Sequence, residues 1–157
     1  MFVYTMKASG LKFFAVLTAS LILLASAIGI LPAVSAATDV ASVTTDFKNI
    51  NSEEDMVKFL AQFGYETEKK ACNVYEVEIP EKFNSVFEKY NEIQRSQGLN
   101  LKRYVNKDAT AYVFKINNYE YEGEVFATLF IRNGRVIAGD VCSSEGKGFV
   151  HGFRKQS

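Results

Sequence analysis

Residues 124–142 read EVFATLFIRNGRVIAGDVC, and the fold turns on this stretch. Asn133-Gly134 sits between two apolar runs. That dipeptide readily takes the positive φ values that a two-residue type I′ hairpin turn needs at both central positions. Two antiparallel strands are therefore expected, over 124–132 and 135–142. Upstream, residues 109–117 read as a third strand. Residues 74–79 alternate cleanly, with Tyr75, Val77 and Ile79 on one side and Val74, Glu76 and Glu78 on the other, which is the pattern of a strand with one buried face. Downstream, Gly146, Gly148 and Gly152 surround Phe149, His151 and Phe153, a composition that fits a loop packed on the sheet or a short edge strand.

Two helices complete the pattern. The first starts at Asn51 or Ser52, where Asn51 with Glu54, or Ser52 with Asp55, makes a capping pair. Met56, Val57, Phe59, Leu60 and Phe63 form its apolar stripe, and Gly64 suits the position just past its end. The second is expected over 81–97, after Pro80, with Phe83, Val86, Phe87, Tyr90 and Ile93 on one side and Gly98 closing it. The order α-β-α-β-β-β predicts an α+β domain: an antiparallel sheet of about four to five strands with the two amphipathic helices packed on one face.

Residues 13–38 carry no charge and follow Lys7 and Lys12. Their dense apolar part would reach about 28 Å as a helix, near the hydrocarbon thickness of a bilayer. Val34-Ser35-Ala36 and Ser35-Ala36-Ala37 also suit signal peptidase. A cleaved signal and a retained anchor both stay open. Either puts the folded part outside the cytoplasmic membrane, since the lysines favour the inside. The chain thus divides into a signal or anchor (1–37), a polar linker (38–50) and a globular domain (51–157). The exported part holds 16 basic and 18 acidic residues, a net of −2, which gives it no charge-driven reason to bind nucleic acid. With 13 Phe and 8 Tyr in 157 residues, the domain has the means to bury a core.

Chemistry-bearing residues are sparse. One His and two Cys are too few for a structural zinc cluster, and no cofactor motif is present. Cys72 and Cys142, in an exported domain, leave a disulfide or two free thiols open. Asp140, Cys142 and His151 are the residue types of a cysteine hydrolase, without the spacing of a protease signature. Gly146-Lys147-Gly148 is too short for a phosphate loop. Glu76, Glu78 and Glu81 read as solvated carboxylates, and Tyr104, Tyr112, Tyr119 and Tyr121 as half-buried sheet aromatics. By alternation Asp140 shares a face with Val136, Ala138 and Cys142. A carboxylate there needs donors, and the tail offers His151 and Arg154. The expectation is a structural latch in which Asp140, with His151 and Arg154, holds the tail against the last strand.

Several phrases carry a resemblance: Phe59-Leu60 through Phe63-Gly64-Tyr65; Glu78-Ile79-Pro80-Glu81; Tyr90-Asn91-Glu92-Ile93-Gln94 through Gln97-Gly98-Leu99; Val136-Ile137-Ala138-Gly139-Asp140-Val141-Cys142-Ser143; and Gly148-Phe149-Val150-His151-Gly152. Over roughly residues 50–153 the chain resembles the DUF4830 family, small uncharacterised proteins of Firmicutes. That family's pattern has Gly-Gly-Asp where this chain has Ala138-Gly139-Asp140, and it carries no partner cysteine at position 72. The resemblance implies a bacterial envelope protein and transfers no catalytic residue. The expectation is an exported or membrane-tethered, non-enzymatic binding domain. Its partners would be the membrane, through the N-terminal segment, and a protein or small molecule. The alternatives are a cysteine enzyme using Cys142 and His151, and an accessory subunit of a larger envelope complex.

Overall fold

The structure is a computed structural model and describes residues 45–145 and 148–155. The expected signal or anchor lies outside the described residues, among which no helix is long and apolar enough to cross a membrane. Helix α1 (Glu53–Ala61) opens on a capping box: Ser52 Oγ accepts from Asp55 N at 3.2 Å, and Asp55 Oδ2 accepts from Ser52 N at 3.0 Å. It closes on Gly64 at φ +82°, with Tyr65 N donating to Leu60 O, an arrangement that satisfies the last carbonyls. Strand β1 (Asn73–Glu78) follows. Helix α2 (Ser85–Ser96) begins later than position 81, because the Asn84 side chain caps Val86 N and Phe87 N. A 3₁₀ turn (Leu101–Tyr104) leads into β2 (Asp108–Ile116), β3 (Val125–Arg132), β4 (Arg135–Ser143) and β5 (Val150–His151).

The five strands form one antiparallel meander, β1-β2-β3-β4-β5. Asn133 and Gly134 take φ of 49° and 66°, as the hairpin reading requires. The α+β class is as expected, but the placement of the helices is corrected. Met56, Phe59 and Leu60 of α1 pack with Phe114, Leu129, Val141 and Phe153 on one face of the sheet. Tyr90 of α2 packs with Val77, Ala111, Phe130 and Ala138 on the other. The helices cover opposite faces. The physical reason is that β3 and β4 are apolar in nearly continuous runs, buried on both sides, and a sheet buried on both faces needs cover on both.

A second correction concerns β4. Phe130 pairs with Ala138 but Ile131 with Val136, so Ile137 is an extra residue in the ladder. This bulge changes which residues share a face. Val136 joins the α1 side, while Ile137 and Ala138 both join the α2 side. Asp140 therefore faces α2 without Val136. The linker is also shorter than expected. Phe47 O accepts from Val136 N, Ile50 N donates to Gly134 O, and Ile50 is buried, so residues 47–50 belong to the folded unit.

Candidate functional site

The second face holds a polar core. Three residues of α2 are buried, and all three carry polar atoms: Tyr90, Asn91 and Gln94. Asn91 Oδ1 accepts from Leu101 N at 2.8 Å and ties the 3₁₀ turn to the helix. Tyr90 donates its hydroxyl to Asp140 Oδ1 at 2.6 Å. Asp140 is 4 % exposed. Burial disfavours the carboxylate, the bonds from Tyr90 and the Cys142 thiol partly offset this, and the carboxyl is pushed up to about 6. Burial, with the Asp140 charge added, pushes Tyr75 up to about 12 and Tyr90 upward. Burial, the Asp140 charge and a hydrogen bond to Asp140 together hold the Cys142 thiol well above its ordinary range. A thiol so held supplies little thiolate, the form that acts as nucleophile.

At the open side of β4 two glutamines replace a strand. Gln94 Oε1 accepts from Gly139 N at 2.9 Å, and Gln97 Nε2 donates to Gly139 O at 3.0 Å. Strand β5 pairs only with Val141 and Cys142, so these amides complete the ladder where β5 stops. Gln97 Oε1 also accepts from Phe153 N at 2.6 Å. The Phe153 ring is fully buried and lies over Gly139, where a Cβ would collide with the ring and with the Thr128 carbonyl.

The tail is latched, but not as expected. Asp140 meets Tyr90, whereas His151 pairs with Val141 and lies on the other face of the sheet. There His151 Nδ1 donates to the Gly152 carbonyl, and Nε2 accepts from the Tyr119 hydroxyl at 2.7 Å. Tyr119, Phe149 and His151 stack with centroids 5.0 to 5.9 Å apart. Burial lowers the His151 pKa. Arg154 is exposed. The bulge and the strand alternation, invisible to a local reading of spacing, account for this correction. They also separate the hydrolase set: Asp140 and Cys142 are on one face and His151 on the opposite one.

Of the two states left open for the cysteines, the structure holds the free thiols. Both cysteines are free. Cys72 sits at the start of β1 and Cys142 near the end of β4, with β2 and β3 between them. Strand spacing separates them by about 14 Å, beyond disulfide reach. Glu76 and Glu78 are exposed, as expected. Among the described residues no group of acids, His and Cys is placed to hold a metal.

A cleft of about 420 Å³ opens between the tail and the ends of both helices. Phe47 and Phe63 give its lining an apolar part, Gln97 an amide, and Arg154 and Lys155 cationic groups. Lys155 Nζ stands 4.5 Å from the Tyr119 ring centroid. Lys155 and Gln97 were missed as site residues because the sequence shows nothing special there. Gln94 did carry a signal: a polar residue four positions after Tyr90, on the stripe that faces the core.

The sequence profile of a domain of unknown function, DUF4830, matches residues 59–141. The chain belongs to the DUF4830 family. No curated protein and no solved structure matches it. The DUF4830 match runs from Phe59 in α1 to Val141 in β4. It therefore contains Tyr90, Gln94, Gln97 and Asp140, and ends before Cys142, His151 and the cationic residues of the cleft.

Proposed function

We propose that this DUF4830 protein is a non-catalytic binding domain, held outside the cytoplasmic membrane by its N-terminal segment, and that its ligand enters the cleft at the tail. The cleft is the observation that carries the reading. Its lining joins an apolar part, Phe47 and Phe63, to cationic groups that include Lys155, and to the Gln97 amide. Such a mixture suits a ligand with an anionic group and an apolar part, because a concave site orients a ligand through a few polar groups set in an apolar lining. The extracytoplasmic placement is supported by the uncharged run 13–38 after Lys7 and Lys12. Separation of Cys142 from His151 across the sheet favours binding over thiol chemistry.

Two measurements test this. Protease added to intact cells should remove the chain from about Asp39 onward, and recovery of intact protein only from cytosol would contradict the placement. Titration of the full-length protein with phenyl phosphate, followed by NMR, should shift the amides of Phe63, Gln97 and Lys155. Lys155→Glu should weaken that binding about tenfold. No shift at the cleft, or an unchanged affinity in the variant, would end the cleft reading.

A further inference from the structure

Among the described residues, strand β1 leaves one edge of the sheet without a partner. Ile79 N donates to Lys107 O across the β1–β2 register. Hydrogen-bonded pairs in an antiparallel ladder recur every second residue, so Asn73, Tyr75 and Val77 bond to β2. The N–H and C=O groups of Val74, Glu76 and Glu78 point the other way. Among the described residues no strand lies beyond β1, and no backbone hydrogen bond reaches these groups. An unpaired edge of this kind is a template for another extended segment.

The side chains along this edge specify which segment. Val74 is 46 % exposed, the one large hydrophobic residue so exposed among the described residues. Glu76 and Glu78 beside it are exposed, and Glu78 stands directly opposite the exposed Asp108. Like charges facing each other across two strands are unfavourable. The ion pairs among the described residues involve Lys58, Lys102 and Lys115, and none reaches these three carboxylates. Among the described residues Glu76 accepts a hydroxyl hydrogen bond from Thr110 and no other.

We propose that the β1 edge is a docking surface for an extended, basic segment of another protein, added to the sheet as a sixth strand. The outward backbone groups of Val74, Glu76 and Glu78 supply the main-chain bonds. Glu76, Glu78 and Asp108 select Lys or Arg at alternate positions of the incoming strand. A second copy of this chain fits poorly, since pairing the outward residues Val74, Glu76 and Glu78 antiparallel with their own copies sets Glu76 against Glu76. The same carboxylates thus keep copies apart and admit a basic strand. This surface is separate from the tail cleft.

The test uses the full-length protein in detergent at low ionic strength, with a short capped peptide alternating Lys and Thr as the probe. A second peptide of the same sequence is N-methylated at alternate residues, which keeps the charge and removes the main-chain donors. The Lys-Thr peptide should slow hydrogen exchange at Val74, Glu76 and Glu78 about tenfold, and the N-methylated one should not. Glu76→Pro removes one outward N–H at a position where an edge strand tolerates proline, and should weaken binding with little change in melting temperature. Glu76→Lys with Glu78→Lys should abolish binding, and this pair decides the matter if the proline variant does not fold. Equal binding of the N-methylated peptide would reduce the surface to unspecific charge and overturn the proposal. So would unchanged exchange at the edge, or self-association of the chain through β1.

Discussion

The two faces of this sheet are built from different materials. Under α1 the core is hydrocarbon and aromatic: Phe59 meets Phe47, Phe63 and Phe153 with ring centroids 5.2 to 5.6 Å apart. Under α2 the core is seeded with polar groups, and Asp140, Tyr90, Asn91 and Gln94 are all buried. Burial of apolar area stabilises the first face in proportion to surface removed from water, with no dependence on pH. The second face depends on each polar atom finding its partner, and buried polar groups are costly when they do not. One carboxylate there relies on the Tyr90 hydroxyl and the neighbouring Cys142 thiol alone among the described residues. The comparison teaches that α1 and the tail hold the domain together, while α2 sets the conditions under which it is most stable.

The largest expected effect breaks the apolar face. Phe153→Ala empties a fully buried position between α1 and Gly139 and should cost about 3–5 kcal/mol in urea unfolding. A loss below about 1 kcal/mol would mean that the tail is not part of the core. The next effect sharpens the contrast through pH. Asp140 is raised from 3.8 to about 6 in the folded state, so the folded protein holds this proton more tightly than the unfolded chain. Its contribution to stability is full below about pH 4 and is lost as pH rises through about 6, by up to about 3 kcal/mol. His151, lowered by burial, acts in the opposite sense and loses its contribution as pH falls through its folded value. The informative quantity is therefore the difference between the protein and Asp140→Asn. The wild type should lose ground to the variant between about pH 4 and 6, the range set by the Asp140 shift, and the difference should level off above it. A constant difference would remove Asp140 as the source. The smallest effect concerns the edge amides. Gln94→Ala leaves the buried Gly139 N–H without its acceptor and should cost about 1–3 kcal/mol, read as a lower melting temperature. Faster exchange at Gly139 should accompany it.

Much of this architecture was legible from local chemistry. The Asn133-Gly134 turn, the Ser52/Asp55 cap and the alternation of β1 each follow from a few neighbouring residues, and each is present. The start of α2 was misplaced because Pro80 offered one helix-start signal and Asn84 a stronger one. The side taken by each helix was misread although a signal existed: β3 and β4 are apolar without alternation, which asks for cover on both faces. The bulge at Ile137 has no clear local signature, and it decides that Asp140 turns to Tyr90 rather than to the tail. Expecting Asp140, His151 and Arg154 to act together rested on proximity in sequence, and a strand places neighbours on opposite faces as readily as together. The cleft draws on residues as far apart as Phe47 and Lys155, a juxtaposition that only the tertiary fold creates.

The central claim is that Asp140 is a buried carboxyl partnered by α2 and separated by the sheet from His151. A carbon-13 NMR titration of the Asp140 side chain measures this directly. The account predicts a midpoint near 6, moved upward by Tyr90→Phe, which removes the bond that favours the carboxylate. His151→Ala should leave the midpoint in place. A midpoint near the ordinary value of 3.8, or one that His151→Ala displaces as far as Tyr90→Phe does, would contradict it.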